Sequence, residues 1–168
     1  MGEKCLACRI DAGEVVVPGG EIYSDDHWVV EHGVVSAAPV ALVSLKGHMA
    51  VRCRRHVEHF YLLTDEELLN LGLLLHDVAE AVARATRPEH VYVFLSGEVM
   101  GHVCWHVLPR YVGMPANQAD VLNGLFRLKT WVCSHDEASK TSGEIKGFLD
   151  QLVAARGNNE LYAHMGWR

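Results

Sequence analysis

The sequence predicts one α+β domain: an antiparallel sheet of about five strands, one long helix and a C-terminal helix. Three observations lead there. Short β-branched and aromatic runs lie on both sides of a long stretch with helical periodicity. Brief turn-forming segments join those runs, as antiparallel neighbours require. A chain of 168 residues with 49% apolar content suits a single domain with its own core. Within it, residues 1–112 form the sheet-and-helix unit, and residues 113–168 are a C-terminal extension packed on the same domain.

Asp11 to Gly20 holds Gly13, Pro18, Gly19 and Gly20 and reads as a loop or an irregular hairpin. Glu21–Tyr23 and His27–Glu31, split by Ser24-Asp25-Asp26, form a hairpin. Val34 to Leu45 is nearly all apolar around Pro39, a loop and then a buried strand. Gly47 turns the chain into a strand over His48–Cys53. The long helix runs from Asp65 to about Arg87. Thr64 and Glu67 make a capping box at its start. Leu68, Leu71, Leu74 or Leu75, Val78 and Val82 give it one apolar face, and Pro88 stops it. His90–Leu95 is a strand, and Gly97 to Gly101 turns it into a second strand from His102 to Arg110. Thr141-Ser142-Gly143-Glu144 caps the late helix, which runs to about Ala155. Its apolar positions are Ile145, Phe148, Leu149, Leu152 and Val153, and Gly157-Asn158-Asn159 ends it.

The formal charge of −6 argues against a basic surface for long nucleic acid. No apolar run of about 18 residues is present, so no membrane span is expected. The first residues lack a signal-peptide stretch, so a cytoplasmic location is expected. There, five cysteines are thiols or metal ligands rather than a disulfide framework.

The chemistry concentrates in His102-Val103-Cys104-Trp105-His106-Val107-Leu108-Pro109-Arg110. Strand side chains alternate, so 102, 104 and 106 share one face and Val103, Trp105 and Val107 the other. Cys5-Leu6-Ala7-Cys8 is a half-site for a soft metal, or simply two semi-buried thiols. His59, His76, His90, His135 and His164 match no motif and read as surface or core-edge residues.

Taken in order, the opening Cys-x-x-Cys, the hairpin, Gly47-His48 with Arg54-Arg55-His56, the capped helix and the 102–110 strand ending in Pro-Arg resemble the histidine-triad (HIT) family, over roughly residues 5 to 110. That resemblance implies a nucleotide hydrolase or nucleotidyl transferase acting at a nucleotide phosphate, and a homodimer. It implies a structural zinc ion on Cys5, Cys8, His56 and His102, with His48 and His106 lining the phosphate site. The middle histidine, the family's nucleophile, is Cys104 here. Three readings of Cys104 compete: a working nucleophile, a lost one in a non-catalytic nucleotide- or zinc-binding protein, or an extra metal ligand beside His102. The turn between Ser96 and Gly101 lacks the family's Gln, so phosphate contacts there fall to the backbone. Glu31 is the nearest candidate for the acidic residue that meets a ribose. Trp131 and Trp167 are candidates for stacking on a base, or ordinary core residues.

Overall fold

A computed structural model of the chain describes residues 5–36, 42–43, 45–96, 101–124 and 131–157. Expectations placed on most of the stretch between Ser36 and Leu45, on 97–100, and on His164 and Trp167 lie outside the described residues. After a short helix α1 (Leu6–Asp11), the chain forms β1 (Glu21–Ser24), β2 (Trp28–His32), β3 (Val34–Ser36), β4 (Leu42–Val43) and β5 (Met49–Cys53). Next come α2 (Asp65–Leu69), α3 (Leu71–Thr86), β6 (His90–Leu95), β7 (Cys104–Arg110), α4 (Gln118–Leu122) and α5 (His135–Gly157). Five strands make one antiparallel sheet in the order β1-β2-β5-β7-β6, and β3 with β4 makes a small ribbon. This is the expected α+β architecture. No described helix is long and apolar enough to cross a membrane.

Alternation sorts the sheet into two faces. Met49, Val51 and Cys53 of β5, with Val103 and Val107, turn toward α3, where Leu71, Leu74, Val78, Ala81 and Val82 cover them. Ile145 and Leu149 of α5 complete that core beside Ile22, Trp28 and Val30, and Arg156 donates to buried Asp77 of α3 at 2.6 Å. The C-terminal helix is thus built into the main core.

Three local expectations need correction. The long helix is interrupted at Asn70, which ends α2 and begins α3; asparagine favours helix caps over interiors. Leu68, placed on the apolar face, is partly exposed. The late helix starts at His135, ahead of Thr141, because Ser134 and Glu137 form their own reciprocal cap: Glu137 N–H donates to Ser134 Oγ at 3.2 Å, and Ser134 N–H donates to Glu137 Oε2 at 3.0 Å. Thr141 and Ser142 are instead buried inside the helix. The Thr64–Glu67 capping box is formed. Arg87 closes α3 with φ of 48°, a left-handed cap whose N–H donates to the Ala83 carbonyl at 3.0 Å, and Pro88 follows it, where the helix cannot continue.

Candidate metal centre and triad face

Cys5 is the N-cap of α1, and Cys8 lies in its first turn. His56 follows β5, and His102 precedes β7. These four converge, with one ligand atom from each lying within 4.8 Å of every other. Cys5 Sγ is 3.4 Å from His102 Nδ1, and Cys8 Sγ is 3.4 Å from His56 Nδ1. A tetrahedral site with metal–ligand bonds of about 2.0–2.3 Å has sulfur–nitrogen edges of about 3.5 Å. The geometry fits a soft divalent cation, and so does the tautomer of His102. Its Nε2 lies 2.7 Å from the Cys53 carbonyl, which only accepts, so Nε2 bears the proton and Nδ1 presents its lone pair to the site. Burial lowers the His102 pKa and keeps the ring neutral.

The face of β7 turned away from α3 carries Cys104, His106 and Leu108. His48 is brought to it by Gly47, whose φ of 77° is open to glycine at little cost. His48 Nε2 lies 2.9 Å from His106 Nδ1. His106 also bonds the Ser96 backbone. With its other nitrogen donating to that carbonyl, Nδ1 accepts from His48 Nε2–H. Its ring stacks on Phe94, centroids 5.1 Å apart. Burial holds His106 down at about 4 and His48 well below the usual range, with the neighbouring imidazoles adding to the effect on His48. Both rings are neutral at physiological pH.

Cys104 differs from what a nucleophile needs. It has no exposed surface, and its thiol donates only a long contact, 3.7 Å, to the Trp105 carbonyl. Burial pushes its pKa up to about 12, with Glu31 adding to the effect. Nor does Cys104 join the metal-ligand cluster among the described residues, so the reading as an extra metal ligand finds no geometry.

Glu31, expected near a ribose, is instead taken by an arginine. Arg52 sits opposite Cys104 in the β5–β7 register and is 2% exposed. Its Nε donates to Glu31 Oε1 at 3.0 Å, and its two terminal nitrogens donate to Asp11 at 3.1 and 2.6 Å. A buried guanidinium requires such partners, and Glu31 is one of them. Ser96 is likewise committed: its amide donates to the Cys104 carbonyl at 3.1 Å. Gly101 stands at the turn into β7 with φ of 56°. Trp131 packs in an apolar cluster with Leu45, Leu108 and Val121, in core packing rather than an open stacking position.

Sequence reasoning missed Arg52, Asp11 and His32. The signal for Arg52 was present. In Met49-Ala50-Val51-Arg52-Cys53 the core-facing positions are 49, 51 and 53, which throws Arg52 onto the triad face. Asp11 and His32 left no comparable mark.

No family model matches the chain. Among curated proteins, Protein hit of Bacillus subtilis is 30% identical over 118 residues, covering 65% of this chain and 72% of that protein. An uncharacterized HIT-like protein of Methanocaldococcus jannaschii is 30% identical over 113 residues, covering 65% of this chain and 81% of that protein. The chain belongs to the histidine-triad family. Solved structures agree on the fold. A hypothetical histidine triad nucleotide-binding protein from Sulfolobus tokodaii superposes with a TM-score of 0.65 at 14% identity, covering 93% of this chain and 97% of that one. A Zn-bound histidine triad family protein from Mycobacterium smegmatis gives 0.63 at 16% identity, covering 90% and 96%.

Proposed function

We propose that this HIT protein is a zinc-ordered nucleotide-binding protein that recognises a phosphate through His48 and His106 and forms no covalent intermediate at position 104. The observation that carries this reading is the state of Cys104. Nucleophilic attack needs an accessible group beside a proton acceptor. Cys104 is fully buried, and its sulfur points to a carbonyl. The neighbouring imidazoles are bonded to each other and to the Ser96 backbone, so neither is aimed at the thiol as a base. Each neutral imidazole has a single N–H, given by His48 to His106 and by His106 to the Ser96 backbone, so on this reading a phosphate oxygen takes over one of those donors. The chain's place in the HIT family, and the neighbour described as nucleotide-binding, support a nucleotide as the ligand.

Zinc is the metal proposed for Cys5, Cys8, His56 and His102. Two thiolates and two imidazoles closed around one ion make a structural site, and the Zn-bound neighbour from Mycobacterium smegmatis supports the choice. A homodimer in the cytoplasm completes the proposal. β6 is a sheet edge with Val93 and Leu95 partly exposed, and none of the five cysteines is in a disulfide.

The test is intact-protein mass spectrometry after incubation with a nucleoside phosphoramidate or a dinucleoside polyphosphate, beside calorimetric titration with a nucleoside monophosphate. Binding without an adduct or turnover is expected. A nucleotidyl adduct that Cys104→Ala abolishes would instead establish Cys104 as a nucleophile and the protein as a hydrolase or transferase. Failure of the monophosphate to bind would remove the nucleotide-binding reading.

A further inference from the structure

We infer that α1 is a lid over the triad face, latched shut by the metal centre at one end and by Asp11 at the other. Cys5, Cys8 and Asp11 fall three residues apart, so all three lie on one side of the helix. The cysteines reach His102 and His56 at 3.4 Å each. Asp11 reaches Arg52 through two hydrogen bonds, at 3.1 and 2.6 Å. Between these anchors Leu6 and Ala7 are buried. Arg52 faces Cys104 across the β5–β7 register, and His102 precedes Cys104 by two residues on the same face. The two anchors of the helix thus fall on either side of Cys104, which has no exposed surface, and the lid is assigned the role of covering it.

The latch depends on the metal because α1 cannot hold itself. Six residues are well short of the length at which an isolated helix is stable in water. Asp11 is 44% exposed, so its bidentate pair with Arg52 is partly solvated and is the one tether left once the ion goes. Without the ion, two of the three tethers go. Glu31 still pairs with Arg52, so the sheet beneath has no reason to collapse when α1 lifts. The lid rests on the metal reading of the cluster and is independent of which ligand the face takes.

Cysteine chemistry gives a direct test with an internal control. Cys53 is as buried as Cys104 but lies in the core on the opposite face, under α3. Metal-loaded and chelator-treated protein are alkylated with iodoacetamide, and each cysteine is quantified by peptide mass spectrometry, with zinc content measured on the same samples. Chelation is expected to raise the labelling rate of Cys104 at least tenfold while Cys53 stays protected. Cys8→Ser reproduces this without chelator. Asp11→Ala in the loaded protein raises Cys104 labelling severalfold and leaves zinc content unchanged. A Cys104 that stays protected while Cys5 and Cys8 become labelled overturns the lid, and so does parallel labelling of Cys53, which reports global unfolding. Protein that binds no zinc overturns the metal latch itself, and an Asp11→Ala protein that labels like wild type removes the second anchor.

Discussion

Acidification below about pH 6.5 destabilises this fold, and His32 carries a measurable part of the loss. His32 closes β2 with 1% of its surface exposed, and its Nδ1 donates to the Gly33 carbonyl at 2.9 Å. Its Nε2 is buried with no hydrogen-bond partner among the described residues. Burial holds the imidazole down at about 4 against the pull of the Gly33 carbonyl, and His135 at the start of α5 pushes it the same way. In the unfolded chain the ring titrates near about 6.5. Between these values the unfolded state binds the proton first, so stability falls with pH through this window; above it His32 contributes nothing. The loss from this one ring is about 2 kcal/mol at pH 5. His106, also held near 4 by burial, adds a similar amount, and His48, buried beside His106 and His32, adds to the same trend.

His32→Asn isolates the contribution. The amide nitrogen of asparagine takes the place of Nδ1 toward the Gly33 carbonyl, and the side chain does not titrate. Any loss from the smaller side chain is present at both pH values, and so is any loss from the metal site. Urea unfolding followed by circular dichroism at pH 7.5 and pH 5.0 measures the difference. With a slope of about 2 kcal/mol per M, the wild-type midpoint falls about 1 M further than that of the variant. Equal falls in the two proteins would refute the assignment of the acid loss to His32.

Gly33→Ala places a Cβ 2.5 Å from Cε1 and Nδ1 of His48, and costs about 1–3 kcal/mol, seen as a melting temperature several degrees lower. Glu67→Gln weakens both the cap on Thr64 and the bidentate pair with Arg55; a loss of about 2 kcal/mol is expected at pH 7. The Arg55 bond, opposed by burial, holds the Glu67 carboxyl at about 2. Its stabilisation is therefore complete above about 4.5 and fades as the pH falls toward 2, so the deficit of the variant shrinks on acidification. Deletion of residues 113–168 uncovers the side of the core that Ile145 and Leu149 close, and the truncated chain should lose its cooperative thermal transition. Val93→Lys, on the exposed edge strand, should shift a homodimer to monomer on size-exclusion chromatography; unchanged elution would remove β6 from the interface.

The strand pattern was legible because alternation is local. A period of two fixes which side chains leave the same face, so His102, Cys104 and His106 could be grouped before any tertiary contact was known. The metal cluster was legible in composition but not in geometry, since nothing local says that residues 5, 8, 56 and 102 meet. Helix starts were ambiguous for a different reason. Ser134-His135-Asp136-Glu137 and Thr141-Ser142-Gly143-Glu144 both satisfy the capping pattern, and what separates them is burial: Ala138, Thr141 and Ser142 are all buried along α5, so the helix must begin before them. Alternation states which way a side chain leaves the sheet and nothing about what lies above it. Over the triad face lie α1 with Asp11 and, toward Leu108, the apolar contacts of Val121 and Trp131. Those covers turn an open strand-borne face into a buried one and keep Cys104 a neutral thiol. A buried guanidinium draws Glu31 and Asp11 onto the face; burial is what chiefly disfavours a thiolate at Cys104, with Glu31 adding to it and Arg52 working the other way. A chain using Cys104 as a nucleophile would need that burial relieved.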